Sequence, residues 1–216
     1  CTPVALITTI IGNAIYKKYD VNKKKVLVSI PVDLRPFYPS KAQSNFFTGI
    51  KLEFKNEYKD LHLKEQVKNM QKDLEEQLTI TNLKMNIYRT EQFFKSIVRK
   101  TIKTQSEAED ISRQLEKMMQ LPEATYMLSN LGVINIPSQM QPYITDFECT
   151  TSNTTLSTIY TMMTVGNIGK LVITQNDDSK IIITEIVNAF LENGIQVQVK
   201  DYDKIIFLGD YTDPYD

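Results

Sequence analysis

Residues 25–54, KVLVSIPVDLRPFYPSKAQSNFFTGIKLEF, decide how the chain folds. Val26, Leu27, Val28, Ile30 and Val32 make a nearly continuous apolar run, the pattern of a strand covered on both faces. Pro31 lies inside that run. A proline has no N–H to give to a ladder, so it predicts a sheet edge, a bulge or a strand end. The segment Leu34-Arg35-Pro36-Phe37-Tyr38-Pro39-Ser40 then turns the chain. Asn45-Phe46-Phe47 leads into Gly49-Ile50-Lys51-Leu52-Glu53-Phe54, where apolar and polar residues alternate as in a half-solvated strand.

Upstream, Thr2-Pro3 has the form of a helix start, an N-cap hydroxyl followed by proline at the first helical position. Val4, Leu6, Ile7, Ile10, Ile11, Ala14 and Ile15 surround most of the following circumference, which predicts a buried helix. Lys17 and Lys18 complement the dipole at its C-terminus. The segment is too short for a membrane anchor and carries Thr8, Thr9 and Asn13.

Downstream, residues 56–61 read as a charged turn and residues 63–78 as an amphipathic helix. In that helix Leu63, Val67, Met70, Leu74 and Leu78 recur at three- and four-residue spacing. The apolar strip lasts barely two heptads, so packing on a sheet explains it better than a coiled coil. Residues 81–104 read as a second helix. Arg89, Lys95, Arg99, Lys100 and Lys103 make it basic, either a solvated face or one facing a membrane or an anionic ligand. Ser106 with Glu109 forms a capping box for a third helix ending near Gln120, and Pro122 stops it.

Residues 124–128 read as a strand ending in Ser129-Asn130-Leu131-Gly132, with a loop over 137–142. Residues 146–151, 156–165 and 170–175 read as three strands of an antiparallel meander. The hairpin Val165-Gly166-Asn167-Ile168-Gly169-Lys170 has two glycines but lacks the strand–loop–helix context of a phosphate loop. Asp178-Ser179 caps a last helix over 180–192, stopped by Asn193-Gly194. Ile195-Gln196-Val197-Gln198-Val199 alternates cleanly as a strand, and residues 204–208 form one more. Neither a repeat nor a low-complexity linker is visible. The expectation is one α+β domain over residues 1–209 with an acidic tail, 210–216. Its architecture is a two-layer sandwich: a mixed, mostly antiparallel sheet with helices on one face.

The totals limit the function classes. The chain has 216 residues, 42% hydrophobic and 24% charged, with a formal charge of −1. There is no global electrostatic case for nucleic acid or an anionic membrane. No run approaches the 18 or so apolar residues that span a bilayer, and no signal peptide precedes the first apolar stretch. Two distant cysteines, Cys1 and Cys149, point to a reducing cytoplasm rather than a disulfide framework. A chain that opens on Cys1 instead of Met suggests a fragment.

The stretch VSIPVDLRPFYPS…NFF, followed by Thr125-Tyr126-Met127-Leu128-Ser129-Asn130-Leu131-Gly132 and Pro137, resembles the second half of CoA-dependent acyltransferases of the bacterial alcohol O-acetyltransferase type. These belong to the group that includes chloramphenicol acetyltransferase and the condensation domains of peptide synthetases. The order and spacing of the two segments fit, and the resemblance covers roughly residues 1 to 200. It implies acyl transfer to an alcohol or amine, with acyl-CoA as co-substrate and no tightly bound cofactor. It also implies an N-terminal lobe missing from this sequence, with the channel running between the lobes. By resemblance, Asp33 and Arg35 match the polar pair after the first strand, Asn45 matches the Asn of Asn-Phe-Phe, and Ser129, Asn130 and Gly132 match Ser-Asn-Leu-Gly. The expected channel residues are Ser129, Asn130, Asn45 and Arg35, with Asp33, Gly132 and Pro137 shaping the motif. Buried polar groups that satisfy loop backbone account for these residues equally well.

Acyl transfer needs a base near neutrality and donors for an oxyanion. The family's base is the second histidine of His-His-x-x-x-Asp, and that motif is absent. His62 is the sole histidine, with no His neighbour and no Asp four residues on. It serves as a surface or helix-entry residue, or as the catalyst only if identical subunits form a trimer. A non-catalytic lobe that binds a ligand or partner is the other alternative. Ser129 is not in a Gly-x-Ser-x-Gly elbow, Cys149 has no histidine to activate it, and one His with two distant Cys makes no zinc site.

Overall fold

The computed structural model describes residues 1–19, 25–41, 46–98, 124–144, 146–151, 158–175 and 179–200. Helix α1 (Pro3–Lys18) is followed by strands β1 (Val26–Asp33) and β2 (Phe47–Phe54). A short 3-10 turn (Asn56–Tyr58) leads to α2 (Leu63–Gln77) and α3 (Ile80–Val98). Then come β3 (Tyr126–Ile134), β4 (Thr158–Val165), β5 (Ile168–Gln175) and α4 (Ile181–Glu192). The expected third helix after α3, the strand at 204–208 and the acidic tail lie outside the described residues, as does Asn45.

The strands form one sheet in the order β2-β1-β3-β4-β5. The mixed α+β architecture matches the expectation. The antiparallel pairs β1–β2 and β4–β5 run over eight residues each, while the parallel pairs β1–β3 and β3–β4 are shorter, so the sheet is mixed and mostly antiparallel. Val26, Val28 and Ile30 of β1, Ile50, Leu52 and Phe54 of β2, Tyr126 and Leu128 of β3, and Tyr160 and Met162 of β4 share one face. That face meets α1, then Val67, Met70 and Leu74 of α2, Leu83 of α3 and Ile186 of α4 in a single core.

Helix α1 forms as its sequence requires. The Thr2 hydroxyl accepts from the Ala5 N–H, Pro3 sits in the first turn, and ten of its residues are buried. Its Asn13 is paired with α2: the Asn13 amide donates to Gln66 Oε1 at 2.6 Å, and Gln66 Nε2 donates to the Tyr58 carbonyl. At its C-terminus Lys17 and Lys18 both bind Glu185 of α4, at 2.6 and 2.9 Å. Bonds from both ammonium groups hold the Glu185 carboxyl below its ordinary value. A depressed carboxyl contributes stability above its unfolded pKa and loses it as pH falls through the folded one. The α1–α4 contact is therefore expected to loosen on acidification from about pH 5 downward. Glu185→Gln should remove that slope from the acid limb of an unfolding midpoint-against-pH curve.

Three expected elements turn out differently. Residues 146–151 form no strand, so the meander is the hairpin β4–β5 alone, turned at Gly166 (φ +62°). Side-chain bonds rather than a ladder hold the segment: Asp146 binds the Lys170 ammonium, Lys170 donates to the Phe147 carbonyl, and the Thr151 and Thr161 hydroxyls meet at 3.3 Å. Strand β3 runs on through the Ser-Asn-Leu-Gly segment, because β4 pairs with it as far as Ile134. Residues 195–199 join no strand among the described residues, since pattern alone supplies no neighbour. A smaller difference concerns α4, whose N-cap is Lys180 without a side-chain cap bond. Among the described residues no helix is long and apolar enough to cross a membrane.

Candidate functional site

The two parallel strands at the centre of the sheet part company toward their C-terminal ends. Pairing between β1 and β3 is confined to Val28–Tyr126 and Ser29–Met127. Leu27 exchanges bonds with Thr125, so odd-numbered residues of β1 direct their backbone groups toward β3. Pro31 therefore turns its missing donor to the side where the ladder has ended, the strand-end solution to a proline in a strand. Beyond that point β1 leads toward β2 and β3 toward β4, on opposite sides. A gap between adjacent parallel strands whose chains exit in opposite directions is where open sheets of this kind admit ligands.

The 34–40 turn follows β1 at this end of the sheet. Leu34, 5% exposed, anchors it, with its N–H on the Phe46 carbonyl at 3.0 Å and its own carbonyl accepting from Phe37 and Tyr38. Asp33 Oδ1 accepts from the Arg35 N–H at 3.1 Å and from Arg35 Nη1 at 2.8 Å. The Asp33 carboxyl is lowered, first by the Arg35 backbone bond and then by the guanidinium. Arg35 also lies over the Phe46 ring at 5.9 Å. It ties the turn to a carboxylate.

The C-terminal half of β3 lies at the same end of the sheet, paired with β4 only. Ser129 pairs with Thr161 and Asn130 with Met162, but Val133 pairs with Thr164, so one extra residue bulges from β3. Gly132 at φ +70° makes that bulge possible, and its N–H donates to Asn130 Oδ1 at 2.9 Å. This bond orients the Asn130 amide with Nδ2 as the outward donor. Ser129 is half-buried and Asn130 exposed. Pro137 is exposed beyond the strand, where its carbonyl accepts from Met140 and Gln141.

The β1–β3 register, Ser29 with Met127, sets Asp33 level with Leu131 along the parallel strands. Asp33, Arg35, Ser129, Asn130 and Gly132 thus gather at one end of neighbouring strands. His62 does not join them. It is the exposed N-cap of α2, reached after β2 leaves the sheet beside Val26, at the opposite end of β1. Two residues were given no role from sequence. The Tyr38 hydroxyl is buried in the turn with no hydrogen-bond partner among the described residues. A tyrosine before proline, beside Arg35, was the available signal. Thr161, 2% exposed opposite Ser129, had none, because only strand pairing brings it there. A separate open groove of about 450 Å3 lies on the helical side, bounded by α1, α2 and α4. It shares no residue with the crevice, and the Asn13–Gln66 and Lys17–Glu185 pairs use polar groups of its lining.

No known family profile matches the chain, and no curated protein does. Among solved structures, it is similar to the epimerization domain from the third module of tyrocidine synthetase B. The TM-score is 0.52 at 13% identity, covering 89% of this chain and 41% of that one. A second match is vinorine synthase, with a TM-score of 0.44 at 18% identity, covering 86% of this chain and 40% of that one. The first likeness shows the fold alone: most of this chain is folded like two-fifths of that epimerization domain. The chain spans about two-fifths of the length of each protein it matches.

Proposed function

We propose that this chain forms one wall of the channel of a CoA-dependent O-acyltransferase, with the proton-abstracting histidine on a second lobe. The acyl donor is acetyl-CoA or another acyl-CoA, used as co-substrate, and the acceptor is a small alcohol or amine. The observation that carries the reading is the early end of the β1–β3 ladder at Ser29–Met127, beyond which two polar segments lie at the same end of neighbouring strands. In the reaction the acceptor oxygen or nitrogen attacks the thioester carbonyl. The new bond to carbon forms as the carbon–sulfur bond breaks, the base takes the acceptor's proton, and CoA leaves as a thiol. The residues of this wall suit binding and not proton abstraction. The Ser129 hydroxyl and Asn130 Nδ2, which alternate to opposite faces of β3, are each donors suited to a carbonyl or a pantetheine amide. Arg35 orders the turn through Asp33. The position of His62, exposed and at the other end of the sheet, supports assigning the base elsewhere.

Isothermal calorimetry with coenzyme A tests the wall. The chain is expected to bind coenzyme A, and Ser129→Ala with Asn130→Ala to weaken binding about tenfold, as two hydrogen bonds of roughly 0.5–1.5 kcal/mol each imply. The chain alone is expected to release no CoA from acetyl-CoA beyond the uncatalysed rate. Affinity unchanged in the double variant would move the ligand away from this crevice. Turnover by the isolated chain, lost in His62→Ala, would overturn the division between lobes.

A further inference from the structure

Residues 195–199, Ile195-Gln196-Val197-Gln198-Val199, have a clean strand pattern and belong to no ladder among the described residues. The segment is nevertheless held at both ends. At its start the Ile195 N–H donates to the Phe190 carbonyl at 2.9 Å, just after Gly194 at φ +73°. At its end the Lys200 ammonium lies 3.0 Å from Asp146 and 3.9 Å from Glu148. Between these anchors Ile195, Val197 and Val199 are 39%, 36% and 59% exposed. Among the described residues, no backbone hydrogen bond joins residues 196–199 to another backbone group. Three β-branched side chains and a row of peptide groups are thus presented, already tethered and with no strand neighbour among the described residues. Strands left open in this way recruit another strand.

The order of the residues identifies that strand. We infer that residues 195–199 pair antiparallel, across a two-fold axis, with the same residues of a second copy of this chain. The segment is nearly palindromic about Val197. In a pair centred there, Val197 meets Val197, Ile195 meets Val199, and Gln196 meets Gln198. All apolar pairs fall on one face and the amide pairs on the other. The five residues carry no charge, so no like charges are opposed, and Lys200 is occupied by Asp146. A one-residue slip would set two of the three apolar residues against a Gln and the third against Lys200 or Gly194, which specifies the register. A two-fold contact uses the same patch on both copies, as a self-complementary segment requires. A ribbon of this size buries far less than the roughly 1,200–2,000 Å2 of a standard interface, so the dimer is weak and concentration-dependent.

Site-specific oxidation tests the register in the full chain. With Cys1→Ser and Cys149→Ser as background, single cysteines are introduced as Gln196→Cys, Val197→Cys and Gln198→Cys. Only position 197 lies opposite itself, where directly opposed Cβ atoms come within about 4.5–5.5 Å, close to disulfide range. Val197→Cys is expected to form a disulfide-linked dimer about tenfold faster than the other two, because only there are the two thiols held together. In the unmodified chain, the average mass in sedimentation equilibrium should rise with concentration. Val197→Pro, which removes an N–H and breaks the ribbon, should hold it at the monomer value. All these positions are exposed, and circular dichroism matching that of the parent chain separates a lost contact from a lost fold. Equal oxidation rates at the three positions, or a monomer mass throughout, would overturn the inference. Docking of this segment on an unrelated sheet edge would give that same negative result.

Discussion

Phe54→Ala is expected to lower the unfolding free energy by about 3–5 kcal/mol, the range for emptying a large aromatic site in a core. Phe54 is 1% exposed and closes the end of β2 against the helical layer. Its ring meets Tyr16 of α1 with centroids 5.7 Å apart and stands edge-on to Tyr58 at 6.0 Å. The cavity cannot collapse easily. Helix α1 is pinned by the Asn13–Gln66 pair and by Glu185 with both lysines, while Tyr58 is pinned by Asp73 at 2.8 Å. A rigid surround keeps the void open, and an open void places the cost at the upper end of the range. A domain whose total stability is about 5–15 kcal/mol loses a large fraction of it. Urea denaturation is the measurement: the midpoint should fall with the slope unchanged. An unaltered midpoint would mean the ring does not fill this core.

The converse substitution at the same joint is expected to be nearly as costly. Gly12 lies in the middle of α1, where glycine is intrinsically poor by about 1 kcal/mol relative to alanine. Its value is the missing side chain. A Cβ built there would overlap the Cγ, Cδ1 and Cδ2 atoms of Phe54. Gly12→Val places three carbons in that space and should destabilise by about 1–3 kcal/mol or more, outweighing the gain in helix propensity. Shrinking the ring should relieve it. In Gly12→Ala with Phe54→Leu, the two costs should add to less than their sum, because the residues share one contact. Additive costs in that thermal or denaturant cycle would show that α1 and β2 do not touch there.

The elements around this joint were legible in advance, since each rests on local pattern. The alternation over Gly49-Ile50-Lys51-Leu52-Glu53-Phe54 reappears as strictly alternating burial up to Leu52. The apolar circumference of α1, with its Thr2-Pro3 start, reappears as a helix buried nearly all round. Pro31 announced a break in pairing, but not on which side of β1 it would fall. The strand pattern over 195–199 was as clean as that of β2, yet no ladder followed. Such a pattern reports which side chains share a face and says nothing of whether a neighbour exists. Residues 146–151 failed for a related reason. Their β-favouring composition is overridden by the Asp146–Lys170 and Thr151–Thr161 contacts, which lie far apart in sequence.

The site divides along the same line. Sequence alone determined the parts: a polar turn at Asp33 and Arg35, donors at Ser129 and Asn130, a conformationally free residue at Gly132, and a single histidine outside any His-His-x-x-x-Asp motif. Tertiary structure alone decided that these parts lie at the same end of neighbouring strands. The parallel pairing of β1 with β3 joins segments that no local spacing relates, and its early end at Ser29–Met127 opens the gap between them. It also decided what is already spent: Arg35 on Asp33, and the Asn130 carbonyl oxygen on Gly132. Hydrophobic periodicity is a property of neighbours along the chain, whereas strand order and hydrogen-bond partners are properties of neighbours in space.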